Sequence, residues 1–241
     1  MSKINWNYDE ITKDWAIRCP LPIATKTPIP QYDGSNYHPW EETWKKHILR
    51  NRFPDYCRST NRIGTLVCSP TNIIKCFQES KVLESLVLIV GWGSLTRTKG
   101  KIYDKSLQQI EETLLKCMTL TEKHNSIEGS WNLLVDDLGW SYVITSKTLH
   151  FLARSLGYES NPPVPIDNKV ILDEVWPAFR KTVKKERILG IDVMPEGWWD
   201  RVSSWQPYNR YMTAINSWAH LKGWTTTQIE NTLFQEYYPS N

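Results

Sequence analysis

Two side chains in the stretch TSKTLHFLARSLGYESNPPVPIDN, residues 145–168, can do chemistry together: Lys147 and Asp167. A lysine that gives up its proton is a nitrogen nucleophile for electron-poor carbon. A carboxylate beside the same carbon stabilises the positive charge that builds there when a bond to it breaks. Each residue alone has an ordinary reading, an exposed lysine and a helix cap. Joined by a stiff connector, the two can face one cleft.

The elements that must position them follow from local patterning. Leu149, Leu152, Ala153 and Leu156 recur at helical spacing, so TLHFLARSL reads as an amphipathic helix. Thr145 or Ser146 is the expected N-cap, and Gly157 sits where a glycine ends a helix. Lys147 is then expected in the first turn, where the helix dipole disfavours a second positive charge. Pro162, Pro163 and Pro165 make the connector rigid and extended. Asp167 precedes the apolar positions Ile171, Leu172, Val175 and Trp176, and is expected to cap the helix they form.

A lysine at a helix start, an apolar helix, and then Val164-Pro165-Ile166-Asp167 resemble the helix-hairpin-helix DNA glycosylases, and most closely their 8-oxoguanine DNA glycosylase branch. The resemblance implies that Lys147 attacks the anomeric carbon and forms a Schiff base, while Asp167 steadies the sugar cation and assists proton transfer. It implies an all-α fold of two lobes with a cleft between them, and DNA as the partner. It also implies late helices that supply aromatic residues to a base pocket. In the family a hairpin reading Leu-Pro-Gly-Val-Gly precedes the lysine and holds a DNA phosphate. Here Ser141, Tyr142, Val143, Ile144 and Thr145 stand in its place, with no glycine, so that phosphate-binding turn is altered.

Composition sets outer bounds. The chain has 241 residues, enough for one large domain or two small lobes, and a net charge of +3. That charge permits a nucleic-acid partner without demanding one. Its 13 tryptophans are read mainly as packing residues. The five cysteines are odd in number and form no C-x-x-C, which reads as a reduced, cytoplasmic protein. No cysteine follows Cys117, and the histidines show no paired ligand spacing, so neither a metal nor another cofactor is expected. The apolar run Val82 to Trp92 is too short to cross a bilayer and reads as a buried helix. Oligomeric state is not legible.

The rest of the chain reads as an N-terminal arm and first helix, residues 1–65, packed on a helical domain, residues 66–241. The arm is proline-rich and expected to lie extended on the surface, anchored by Trp6 and Trp15. Helices are expected from Pro39 to Arg50, from Pro70 to Phe77, from Lys81 to Val90 and from Ser106 to Met118, and again from Ile127 to Leu138. Gly91-Trp92-Gly93 should break the helix before it and bring Trp92 near the pocket. Pro207 should open a helix carrying Tyr211, Ile215 and Trp218, and Thr227 with Glu230 should form a capping box for the last helix. Leu66 and Val67 are the one plausible strand.

Candidate DNA contacts are Arg97 and Lys99, Ser146 beside the lysine, and the basic cluster with Lys181, Lys184 and Lys185. Candidate base-pocket residues are Trp92, Tyr211 and Trp218. The expected activity is excision of a flipped-out damaged or modified base, with abasic-site lyase activity through the lysine. A narrower alternative is a glycosylase of antiphage defence that attacks hypermodified phage bases. Alternatives of another class are a non-catalytic helical DNA-binding protein and a tryptophan-rich protein-interaction module.

Overall fold

The computed structural model describes residues 3–18, 26–29, 36–38, 52–93, 104–167 and 204–237. In chain order they form α1 (Glu10–Arg18), β1 (Asn36–His38), β2 (Leu66–Cys68), α2 (Pro70–Gln78), α3 (Val82–Trp92), α4 (Leu107–His124) and α5 (Glu128–Asn132). Then come α6 (Tyr142–Ser155), α7 (Trp205–Lys222) and α8 (Thr226–Tyr237). The fold is all-α. Its one sheet among these residues is a short antiparallel ribbon in which Tyr37 lies opposite Val67. The helix expected over 39–50 lies outside the described residues.

The elements follow local chemistry where caps are unambiguous. Ser69 accepts a hydrogen bond from the Asn72 amide at 3.1 Å, and Pro70 opens α2 with its φ already helical. Ser106 caps α4 in the same way through the Gln109 amide. Apart from Glu84 and Ser85, α3 is apolar on all sides, and it is buried from Val82 to Gly91, as suits a helix at the centre of a core. It runs on through Trp92, with Gly93 as its C-cap, so the expected break at Gly91 is displaced by two residues. Beyond α5 the chain continues as a π-helical turn, Leu133–Asp137.

The N-terminal segment is not wholly extended. Residues 10–18 form α1, whose Trp15 packs edge-on against Trp218 of α7 with ring centroids 5.8 Å apart. Trp6 and Trp15 are both buried. Asn161 pairs through its side-chain amide with the backbone of Ile4, 3.0 Å each way, and its carbonyl accepts from the Trp6 indole at 3.2 Å. The arm is thereby stitched to the start of the proline connector. A long-range side-chain pair of this kind has no periodic signature in sequence.

Candidate active site

α6 begins earlier than its sequence suggests. Ser141 is the N-cap, extended at φ −71° and ψ 155°, and Tyr142 to Thr145 form the first helical turn. No glycine interrupts this stretch, and Val143 and Ile144 bury apolar surface as they coil, so the residues standing in place of a hairpin continue the helix. Lys147 therefore lies in the second turn. The expectation that the helix dipole lowers its proton affinity is corrected, because that field fades within the first turn. The C-terminal expectation holds. Gly157 has φ +88°, its amide donates to the Arg154 carbonyl and the Tyr158 amide to that of Ala153, which completes a Schellman ending.

Burial does what the dipole does not. The Lys147 side chain is 6 % exposed, and loss of water pushes its ammonium below the usual lysine range. Asp167 and Glu230 pull the other way by favouring the cation. The Lys147 Nζ is 3.9 Å from Asp167 Oδ2 and 5.6 Å from the centre of the Trp92 ring. That ring stands edge-on against Phe151, the neighbour of His150 on α6, with centroids 5.0 Å apart. Asp167 is the wetter partner, with 34 % of its side chain exposed.

The connector that carries Asp167 is a buried loop, so its backbone groups need partners inside the protein. Prolines at 162, 163 and 165 leave only Val164 and Ile166 with amide protons over residues 162–166. Val164 donates to the Met212 sulfur at 3.4 Å, and Ile166 donates to Ser146 Oγ at 2.9 Å. The carbonyls are held from three helices. Thr226 of α8 donates to Pro162 O at 3.1 Å, Tyr208 of α7 donates to Val164 O at 2.9 Å, and His150 Nδ1 sits 2.7 Å from Pro163 O. Few soft torsions remain in a proline-rich segment tied at this many points. The position of Asp167 opposite Lys147 is thus set by the fold.

His150 is a neutral structural donor in this arrangement. Its full burial, with Arg154 nearby, pushes the imidazole down to about 3, and its Nδ1–H is the proton that reaches Pro163. Ser146, a candidate DNA contact, is instead wholly buried. Its hydroxyl donates to Val143 O at 3.1 Å while accepting from Ile166. It holds the connector and presents nothing to a phosphate.

The other candidates separate. Trp92 is beside the lysine. Tyr211 is buried on α7 and interacts electrostatically with Glu230. Trp218 belongs to the α1–α7 packing, where its indole donates to Ala16 O at 3.0 Å. Arg97, Lys99, Lys181, Lys184 and Lys185 lie outside the described residues, as does the helix that Asp167 was expected to cap. Among the described residues no cluster of His, Cys, Asp and Glu is suited to a metal ion, and no helix is long and apolar enough to cross a membrane.

Glu230 was missed. The capping box of α8 is formed by Thr225 and Gln228, whose side chains bond each other's amides at 3.2 and 2.8 Å. Thr227 and Glu230 fit the same pattern two residues later but do not form it. Glu230 turns inward instead, 8 % exposed, and interacts with both Lys147 and Asp167. Burial pushes its carboxyl up to about 8.

Residues 35–234 match a family model described as "OGG: Putative 8-oxoguanine DNA glycosylase OGG-like protein". The chain belongs to this family, which supports a DNA glycosylase with DNA as its substrate. No curated protein and no solved structure matches the chain.

Proposed function

We propose, from membership of the OGG-like family, that this chain excises a damaged or modified base from DNA at a site formed by Lys147 and Asp167, and that it cleaves the resulting abasic strand through an imine. The observation that carries this reading is the buried Lys147 amine, lowered in proton affinity by burial and 3.9 Å from the Asp167 carboxylate. An amine that gives up its proton more readily is a better nucleophile, and a carboxylate at that distance suits a sugar cation.

As the bond from the sugar to the base breaks, its electron pair leaves with the base. Asp167 stabilises the positive charge left on the sugar ring. The Lys147 nitrogen bonds to the anomeric carbon, the ring oxygen departs and takes a proton, and an imine remains. Loss of a proton from the neighbouring 2′ carbon then expels the 3′ phosphate, which is β-elimination. The target base must leave the stack to reach a lysine this deeply buried. Trp92 and Tyr211 suit an aromatic wall for it, and Arg97, Lys99, Lys181, Lys184 and Lys185 suit the phosphates.

The test is release of free base from a panel of oligonucleotides carrying oxidised, alkylated and bulky modified bases, read by mass spectrometry. One or more bases should be released by wild type and none by Lys147→Gln. Salt-sensitive DNA binding without release of any base would contradict the reading and favour a binding protein.

A further inference from the structure

Among the described residues the site holds one amine and two carboxyl groups, of which Asp167 is the wetter. α8 is bound to the connector at its first turn, where the Thr226 amide reaches Ser160 O at 3.4 Å and its hydroxyl reaches Pro162 O. Glu230 is one helical turn further on the same face, so it points where Thr226 points. Among the described residues, Lys147 on α6, Asp167 on the connector, and Tyr208 and Tyr211 on α7 are the titratable groups that interact with it. Two carboxylates beside one buried lysine would hold it as a cation. A free amine therefore requires that one of the carboxyls be neutral. Asp167 keeps a third of its side chain in water, whereas Glu230 is almost entirely enclosed, so a neutral acid costs least at Glu230.

We propose that Glu230 is a positioning residue for the Lys147 amine: by carrying a proton itself, it withholds a second negative charge and lets Lys147 lose its own. The proposal rests on the reading of Lys147 as the nucleophile and extends it. The exchange is balanced within the site. An N–H bond breaks at Lys147 Nζ, an O–H bond forms on Glu230, and an ion pair becomes an amine and a carboxylic acid with no outside co-reactant. A dry site favours the neutral pair. The burial that raises the Glu230 carboxyl and lowers the Lys147 ammonium acts in this direction on both partners. One consequence runs against habit. When alkaline pH ionises Glu230, the new charge holds the proton on Lys147, so free amine does not rise steadily with pH.

The experiment follows Lys147 in the full chain without DNA, by NMR of ¹³C-labelled lysine side chains, with its signal assigned by Lys147→Gln. Wild type should titrate in two steps, one of them near the Glu230 value of about 8. Glu230→Gln should titrate in one step, displaced downward by about one unit, which is tenfold in free amine. Glu230→Leu should behave likewise and serves if the Gln variant fails to fold. Imine trapping on abasic DNA should then be similar for wild type and Glu230→Gln at pH 6, with the variant ahead above pH 8. Identical one-step titrations in wild type and variant would overturn the proposal. So would loss of trapping at every pH in a folded Glu230→Gln, which would make Glu230 necessary in its own right. A two-step titration in a protein that traps no DNA would uphold the coupling while rejecting the imine chemistry.

Discussion

Among the described residues, two regions that bury charge do so in opposite ways. At the first, Glu84 lies on the otherwise apolar helix α3, 2 % exposed, and Arg52 donates to it at 2.8 Å while reaching Glu111 at 3.0 Å. At the second, Lys147 is nearly as enclosed, but the Asp167 carboxylate oxygen is 3.9 Å away and a further carboxyl, Glu230, interacts with it. A guanidinium stays charged under any ordinary condition and fixes its partners by short directional bonds. An ammonium shifts readily when buried, and a long contact leaves it able to change state. Tight pairing in the first region makes a strut, while loose pairing in the second leaves a group that can react.

Substitutions can break this contrast, and the largest effect should be on chemistry. Lys147→Met should lower base release by at least about a thousandfold, since no other nucleophile replaces the amine. It should fold about as well as wild type, because the carboxylate it leaves without its partner, Asp167, keeps a third of its side chain in water. Arg52→Ala should do the reverse. It leaves Glu84 buried without its partner and should cost about 3 kcal/mol in denaturant unfolding, reduced by the partial exposure of Arg52, with base release per folded molecule unchanged. If Arg52→Ala silenced the enzyme without destabilising it, the assignment of strut and reactive site would be wrong.

Next in size are the pH dependences. The folded Glu230 carboxyl titrates at about 8, above its unfolded value of 4.5. The folded protein therefore keeps a proton that the unfolded chain has lost. Stability falls as pH rises between those values, by up to about 1.4 kcal/mol per unit. Glu230→Gln should remove this loss, seen as a smaller difference between unfolding curves at pH 5 and pH 8. His150 has the opposite sign. Its folded value of about 3 lies below the unfolded 6.5, so its contribution is complete above 6.5 and is lost as pH falls toward 3. His150→Gln should flatten that acid limb and, by releasing Pro163 O, slow base release.

The smallest effect belongs to Ser146→Ala. It removes the acceptor of the Ile166 amide and should cost about 1–3 kcal/mol, with a modest rise in the DNA concentration needed for half-maximal rate. A weakening of salt-dependent DNA binding as large as that of a lost phosphate contact would restore Ser146 to the DNA surface.

How far the sequence foretold this arrangement depended on how local each feature was. The amphipathic α6, its glycine ending and the proline connector all lie within residues 142–167, and each follows from spacing or from the chemistry of one residue type. The start of α6 was misjudged because Ser141, Thr145 and Ser146 are all acceptable caps. Only the packing of Val143 and Ile144 decides among them. Glu230 was hidden for a similar reason. Thr225-x-x-Gln228 and Thr227-x-x-Glu230 are equally good boxes in TTTQIE, and tertiary contacts choose the first. Trp92 and Trp218 are both tryptophans near helix ends, and nothing in their neighbours tells a residue beside Lys147 from one packed on α1.

The central claim is that Lys147 is a nucleophile toward DNA sugar, and borohydride trapping on an oligonucleotide with a single abasic site tests it without knowledge of the target base. Wild type, Lys147→Gln and Asp167→Asn are compared at equal concentration. The account predicts a covalent adduct that maps to the Lys147 peptide, is absent from Lys147→Gln and is reduced in Asp167→Asn. Equal trapping in all three, or an adduct on another lysine, would contradict it.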